Sequence, residues 1–506
     1  MATSQRRDQP LTLGTAGHID HGKTALINAL TGKNTDRLPE ERSRGISIEL
    51  GYAPLALPSG RALSVVDVPG HERFVRTMVA GASGVDLFLL CIAADDGVMP
   101  QTREHLAVLR QLGVSAGVVA ITKSDTGEPE LAAEEARELL PGVELVHVSA
   151  LQRTGLNELL AALDRAAANV TSRAERDGPA RLHLDRSFTL RGIGTVVTGT
   201  LWSGSIGQGD SVRVLPRGLS ARVRSVQVHD QPVERAAAGQ RVALNLVGVG
   251  WRELGRGDVV TSPEAELAPT YLIDAALSLE PGAKPPRRVH IHHGTREAPA
   301  RVVALGSGYA QLRLEAPLVP LAGDRLIVRQ LAPPDTVGGG VVIDAHPRKH
   351  GASSELVERL RALERGEAMP VEERAAEPPP EESPPLDEAA LEIASLLRSD
   401  GHEPRTDNEL AEAAGLSSAE AAERLRRLAR AGQVVRVGRN LHFHPEPLAE
   451  LEARVIAICE RDGSATIASV RDELGTSRKY AQALLEHLDG EKITRRIGDE
   501  HKLRAR

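Results

Sequence analysis

The octet Gly17-His18-Ile19-Asp20-His21-Gly22-Lys23-Thr24 has the G-x-x-x-x-G-K-[ST] spacing of a phosphate-binding loop. Glycines in such a loop let backbone N–H groups crowd around a polyphosphate. The lysine ammonium neutralises the outer phosphates, and the threonine hydroxyl suits Mg²⁺ at the positive end of a helix. The flanks fit that chemistry, with Leu11 and Leu13 leading in and a helix-forming run from Ala25 to Leu30 leading out. His18 and His21 could be spaced for a metal, but both sit on the loop that would wrap the phosphates, which argues against it.

Three further groups follow in an order that carries the inference. In Asp67-Val-Pro-Gly70-His71, the aspartate can reach Mg²⁺ through water, and Gly70 lets a backbone N–H meet the γ-phosphate. His71 then falls beside the bond to be cleaved, where a histidine can position water. In Thr122-Lys123-Ser124-Asp125, the aspartate can pair with the N–H groups of guanine while the lysine stem covers the base. Ser149-Ala150 can offer backbone to the guanine oxygen. Each short group is weak alone; four in order are strong.

These groups need a scaffold that gathers them. Apolar runs at Leu63 to Asp67, Leu87 to Ala93, Gly117 to Lys123 and Leu145 to Ser149 alternate with helical patterns such as Thr102 to Leu112 and Glu130 to Leu140. Near-continuous apolar strands separated by helices predict a parallel sheet covered on both faces, with ligand groups at the carboxyl ends of the strands. Beyond Pro179, period-two runs with frequent turns predict two β-barrels, one around Arg181 to Leu246 and one from about Pro269 to Asp344. An acidic, proline-rich stretch around Met369 to Pro385 cannot bury a core and reads as a tether. Two blocks with three helices and a β-hairpin each then predict a repeated winged helix.

The expected fold class is therefore multidomain, α/β then β then α. The boundaries are 1–172 for the nucleotide-binding domain, 173–263 and 264–346 for the barrels, 347–385 for the linker, and 386–446 and 447–506 for the winged helices. At 506 residues the chain has room for several cores. No apolar run is long enough for a membrane span, and the polar start lacks a signal peptide's apolar centre. Two distant cysteines, Cys91 and Cys459, predict reduced thiols and a cytoplasmic protein. A net charge of −7 argues against wholesale nucleic-acid binding, so any such contact must come from local basic patches.

Residues 12 to about 170 resemble the G domain of the translational GTPases, and with the two barrels residues 12 to 345 resemble the tRNA-delivering elongation factors. The resemblance implies GTP and Mg²⁺ as cofactors, with Thr24, Ser47 and Asp67 as metal ligands and His71 as the catalytic residue. In this chain Thr122 stands where the family usually has asparagine, and Ser47 where it usually has threonine. A serine keeps the ligating hydroxyl, and guanine selectivity rests mainly on Asp125. Asp185-Arg186-Ser-Phe-Thr and Gly239-Gln-Arg241-Val-Ala-Leu-Asn are similar to the selenocysteine-specific elongation factors of bacteria. In that family the residues matching Asp185, Arg186 and Arg241 surround the aminoacyl group. A selenolate is charged near neutral pH and serine is not, so paired arginines can select by charge.

The last block opens its third helix with Arg478-Lys479-Tyr480, and its wing carries Lys492, Arg495, Arg496, Lys502, Arg504 and Arg506. That one-sided basic surface suits phosphates, and Tyr480 could stack on a loop base. It also resembles the last winged helix of the selenocysteine factors, which holds a messenger hairpin. The family usually carries four such modules; two are legible here. His290-Ile-His292-His293 lacks a third metal ligand nearby, so polar or tRNA contacts are expected there. Together these readings imply a monomeric GTPase that delivers selenocysteinyl-tRNA to the ribosome at recoded UGA codons, with no membrane partner. A general elongation or initiation GTPase carrying another tRNA, and an RNA-binding regulator switched by GTP, are the alternatives.

Overall fold

The computed structural model describes residues 9–503 except 37, 45, 176–177, 191, 284–285, 332–334, 368–386, 431, 439 and 492. It divides into two compact units, Met1–Met369 and Pro370–Arg506.

The first unit begins with a six-stranded sheet in the order β2-β3-β1-β4-β5-β6. Its strands are β1 (Leu11–Ala16), β2 (Gly51–Ala56), β3 (Ala62–Asp67), β4 (Leu87–Ala93), β5 (Gly117–Thr122) and β6 (Glu144–His147). All neighbours run parallel except the β2–β3 pair. Every residue of β1 and β4 is buried, as a sheet covered on both faces requires. The two covering layers form separate cores, one with Met78, Phe88 and Ile121, the other with Leu26, Leu89 and Leu163. The helices are α1 (Lys23–Thr31), α2 (Pro39–Arg44), α3 (Val75–Ala82), α4 (Pro100–Gln111), α5 (Pro129–Leu139) and α6 (Leu156–Ala168). Prolines start α4 and α5, where a missing N–H costs nothing.

Strand β2 was not anticipated. It is an antiparallel edge strand containing Pro54, and edges are where a sheet tolerates proline. Its register sets Gly51 opposite Asp67 and Tyr52 opposite Val66.

Two barrels follow. In the first, β7 (Arg181–Leu190), β8 (Gly194–Ser203), β10 (Ser211–Leu215), β11 (Leu219–Val228), β14 (Arg241–Val247) and β15 (Val259–Thr261) close on one another, with short strands β9 (Ser205–Gly207), β12 (Gln231–Val233) and β13 (Arg235–Ala237) beside them. The second is built from β16 (Thr270–Leu279), β17 (Arg288–His293), β18 (Arg296–Gly306), β19 (Tyr309–Leu318), β20 (Arg325–Gln330) and β21 (Thr336–Asp344), which form a closed barrel in the order β16-β19-β18-β17-β20-β21. The expectation that the linker starts at 347 needs correction. Helix α7 (Ser354–Glu364), capped by Ser353, buries Leu360 against Leu305, Tyr309 and Ile343 of this barrel. Just before it, His350 bonds Asp274 at 2.7 Å. The amphipathic run has an apolar face to bury and uses the barrel; the acidic remainder of the expected tether, 368–385, lies outside the described residues.

The second unit holds two winged helices. One comprises α8 (Glu388–Asp400), α9 (Asp407–Ala413), α10 (Ser418–Arg430) and the hairpin β22 (Val435–Gly438) with β23 (Leu441–Phe443). The other comprises α11 (Pro445–Asp462), α12 (Ile467–Leu474), α13 (Arg478–Gly490) and β24 (Thr494–Ile497) with β25 (Glu500–Leu503). Among the described residues no helix is long and apolar enough to cross a membrane.

Candidate functional site

The phosphate loop joins β1 to α1. Gly17 has φ of 127°, and a Cβ there would lie 2.2 Å from the Cys91 carbonyl oxygen, so only glycine fits. Lys23 is buried, at 6% exposure, and its ammonium donates to the carbonyls of Gly17 at 3.1 Å and His18 at 2.5 Å. Burial lowers its pKa. Helix α4 braces the loop from outside: the Gly17 N–H donates to His105 Nδ1 at 3.1 Å and the Ile19 N–H to Gln101 Oε1 at 3.3 Å. Burial drives the His105 imidazole down to about 3, so it is the neutral acceptor this bond needs. His21 is likewise pushed down to about 4 by burial, and its ring meets the Cys91 carbonyl at 3.2 Å. Asp20 takes a left-handed φ of 62° in the bend between them.

The expected metal ligands converge. The Thr24 hydroxyl donates to Asp67 Oδ2 at 2.8 Å and lies 3.0 Å from the Ser47 hydroxyl. Ser47 in turn donates to Asp36 at 2.8 Å, and Thr15 and Thr35 donate to the two oxygens of Asp67 at 2.8 and 2.6 Å. An all-oxygen set of hydroxyls and carboxylates at a helix N-terminus fits a hard cation such as Mg²⁺. Gly70 lies hard against the loop, where a Cβ would come within 2.3 Å of Lys23 Nζ and 2.7 Å of the Ile19 nitrogen. His71 follows it, half-buried, with Nδ1 accepting from the Arg73 N–H at 3.2 Å.

The groups expected to read the base sit at the ends of β5 and β6. The Thr122 hydroxyl donates to the His21 carbonyl at 2.8 Å, so it ties this strand end to the phosphate loop. Lys123 adopts a left-handed φ of 51° and pairs with Asp95 at 3.0 Å. The Asp125 carboxylate is half-buried. Ser149 is buried, its hydroxyl accepts from the Gln152 N–H at 3.0 Å, and half-buried Ala150 follows at the start of the turn into α6.

Asp185, Arg186 and Arg241 also meet, but around a residue of the G domain. Arg241 forms a two-pronged pair with Asp185, donates to Thr198 at 3.0 Å, and sets its guanidinium 3.1 Å from the Tyr52 ring centre. The Tyr52 hydroxyl donates to Asp185 at 3.0 Å. Burial would raise the Asp185 carboxyl, but the Arg241 charge outweighs it and holds the group below its ordinary value. Arg186 donates to the Leu50 carbonyl at 2.7 Å.

In the second winged helix, Arg478, Lys479, Arg495, Arg496 and Lys502 are exposed. Lys492, Arg504 and Arg506 lie outside the described residues. Tyr480, expected to stack on a base, makes contacts within the protein. Its hydroxyl donates to the Pro404 carbonyl at 3.0 Å, and its ring packs partly buried in the core of its own module. Beside it, Glu403 accepts from the Thr476 hydroxyl at 2.7 Å and the Ser477 N–H at 3.1 Å. The tyrosine joins the two winged helices because an aromatic with one polar tip suits a half-buried seam. His292 and His293 are buried, His293 bonds Asp324 at 2.8 Å, and among the described residues no three or more His, Cys, Asp or Glu side chains gather as metal ligands.

Sequence reading missed Gln101, His105, Thr35, Asp36 and Tyr52. Only the four-residue spacing of Gln101 and His105 on one helical face was available as a signal.

A G domain with this phosphate loop, followed by two barrels, is the architecture of the elongation factor Tu class. Family models agree: "Elongation factor Tu GTP binding domain" matches residues 8–169 and "Elongation factor Tu domain 2" residues 194–261. "Selenocysteine-specific elongation factor, beta-barrel domain" matches 273–349, and "Elongation factor SelB, winged helix" matches 457–503. The selenocysteine-specific elongation factor of Desulfomicrobium baculatum is 44% identical over 374 residues, covering 70% of this chain and 59% of that protein. That of Methanocaldococcus jannaschii is 30% identical over 375 residues, covering 66% and 80%. The solved structure of a bacterial selenocysteine-specific elongation factor, EF-Sec, matches with a TM-score of 0.66 at 25% identity, over 98% of this chain and 100% of that one. The chain belongs to the selenocysteine-specific elongation factor family. It spans about three fifths of the length of the Desulfomicrobium protein, 59%.

Proposed function

We propose that this chain is a GTPase that carries selenocysteinyl-tRNA to the ribosome at recoded UGA codons, recruited by a messenger hairpin. The meeting of Asp185, Arg186 and Arg241 beside Leu50 and Tyr52 carries this reading. Two neighbouring guanidinium groups, one held by the buried Asp185 carboxylate and the other by Leu50 and Glu49, favour an anionic side chain over a neutral one. A selenolate is such an anion, and serine, its neutral analogue, is not.

In this reading Lys23 turns from its loop carbonyls to the outer phosphates of GTP, and the loop N–H groups hold the rest. Asp125, with backbone at Ser149 and Ala150, reads guanine, while Thr122 and Lys123 fix the base loop. Thr24, Ser47 and Asp67 would hold Mg²⁺, which supplies charge neutralisation between the phosphates. His71 positions a water once the ribosome moves it toward the γ-phosphate, and hydrolysis lets the segment around Ser47 relax. Arg478, Lys479, Arg495 and Arg496 contact the phosphates of the messenger hairpin.

The test is a comparison of the GTP form's affinity for selenocysteinyl- and seryl-tRNA. Tighter binding of the former is expected, and Arg241→Ala should erode that preference. Equal affinities for both tRNAs in the unaltered chain reject the reading.

A further inference from the structure

In the G domain Arg186 meets the Leu50 carbonyl at 2.7 Å and a Glu49 carboxylate oxygen at 3.0 Å, and its guanidinium lies 5.6 Å from the Tyr52 ring centre. Leu50 and Glu49 belong to a segment that starts at Ser47, whose hydroxyl lies 3.0 Å from that of Thr24. The backbone between them is pinned by the buried Glu41 carboxylate, which accepts from the N–H groups of Ile48 and Glu49, each at 2.9 Å. Two residues further on, Tyr52 donates to Asp185 at 3.0 Å. Residues 47–52 therefore reach from the oxygen cluster around Thr24 to the two arginines of the first barrel.

The two guanidinium groups differ. Arg241 has only 13% of its side chain exposed and is engaged by the buried Asp185, by Thr198 and by the Tyr52 ring. Arg186 is 23% exposed, and its acidic partner Glu49 is 54% exposed. A cavity of about 10 Å³, room for roughly one water, lies behind Leu50, Tyr52 and Asp185 and is lined by neither arginine. An anionic side chain that reaches the Arg186 guanidinium meets it where Glu49 already sits. The Glu49 carboxylate is the cheapest group to move, because an exposed ion pair contributes little and its carboxylate regains water on leaving.

We infer that Glu49 is an internal anion that occupies Arg186 until the cargo's selenolate replaces it, so that the charge of the amino acid is read through the segment bearing Ser47. This rests on the reading of Asp185, Arg186 and Arg241 as the aminoacyl pocket. A neutral seryl group cannot make the exchange, and Glu49 then stays on Arg186. Glu49 thus adds discrimination by competing for the anion site, and its release marks a loaded pocket next to the magnesium ligands.

The experiment measures the affinity of the whole chain, in its GTP form, for selenocysteinyl- and seryl-tRNA, in unaltered protein, Glu49→Gln, Arg186→Gln and the double variant. Glu49→Gln should tighten selenocysteinyl-tRNA about two- to fivefold, the range of an exposed ion pair, and leave seryl-tRNA unchanged. The gain should vanish when Arg186 is already glutamine. Unchanged or weaker selenocysteinyl-tRNA binding in Glu49→Gln, an equal gain for both tRNAs, or a gain that survives in the double variant overturns the inference. Indifference of the unaltered protein to the amino acid removes the pocket reading and this inference with it. Preference in the unaltered protein without a Glu49→Gln effect removes this inference alone.

Discussion

Lys23 contributes charge and hydrogen bonds that no neighbouring group can replace, because its ammonium is buried between two loop carbonyls and pressed by Gly70. Lys23→Ala should weaken GTP binding by about 100-fold, as expected for losing charge-assisted bonds worth roughly 3 kcal/mol; titration with a fluorescent GTP analogue checks it, and near-normal affinity would remove the phosphate-loop assignment. His105 acts through the backbone and through protons. Its folded pKa, near 3, lies below the unfolded value of about 6.5, so the unfolded chain takes up protons first as pH falls. Stability from this group is therefore complete above pH 6.5 and lost toward pH 3, about 2 kcal/mol of it by pH 5. Urea unfolding of His105→Gln at pH 7 and pH 5 should show a smaller acid loss than the unaltered chain; equal losses reject the buried neutral histidine. The contrast between these residues explains what the sequence could reveal. Lys23 belongs to a spaced motif whose chemistry fixes every member, whereas His105 is a lone histidine whose partner, Gly17, is 88 residues away in the chain.

At the scale of elements, helix α4 touches two parts of the molecule. Gln101 and His105 brace the phosphate loop, while Glu104 pairs with Arg329 of the second barrel at 3.2 Å. Its existence was legible from three-and-four spacing, but its two contacts were not, since periodicity names a buried face and not what buries it. Strand β2 escaped notice for a related reason: Pro54 and an edge position give no continuous apolar run. The winged helices are legible as helices and hairpins, yet the seam contact of Tyr480 is not, because an aromatic after two basic residues reads the same whether its hydroxyl meets a base or a neighbouring carbonyl. Tyr480→Phe should lower the stability of the C-terminal unit by about 1 kcal/mol, the loss of one hydrogen bond, and leave hairpin affinity within twofold. A large loss of RNA binding with unchanged stability would restore the stacking role.

For the whole molecule, charge is the deciding quantity. With a net charge of −7, RNA attraction must come from a patch, and Arg495 and Arg496 lie exposed on the wing. Arg495→Ala with Arg496→Ala should weaken a messenger hairpin about tenfold or more at moderate salt and reduce the slope of log affinity against log salt by about 1 to 2. A binding curve unmoved in both respects would place the hairpin elsewhere. One hairpin, β2–β3, has a wider consequence. Its register sets Gly51 opposite Asp67, and the same strand offers Tyr52 to Asp185. Under the proposed function, cargo choice and nucleotide timing share one piece of backbone and cannot drift apart independently. A lineage that changed the amino acid it accepts would also change how long it keeps its nucleotide, and compensating substitutions should accumulate around Glu41 and Asp36 instead of within the barrel.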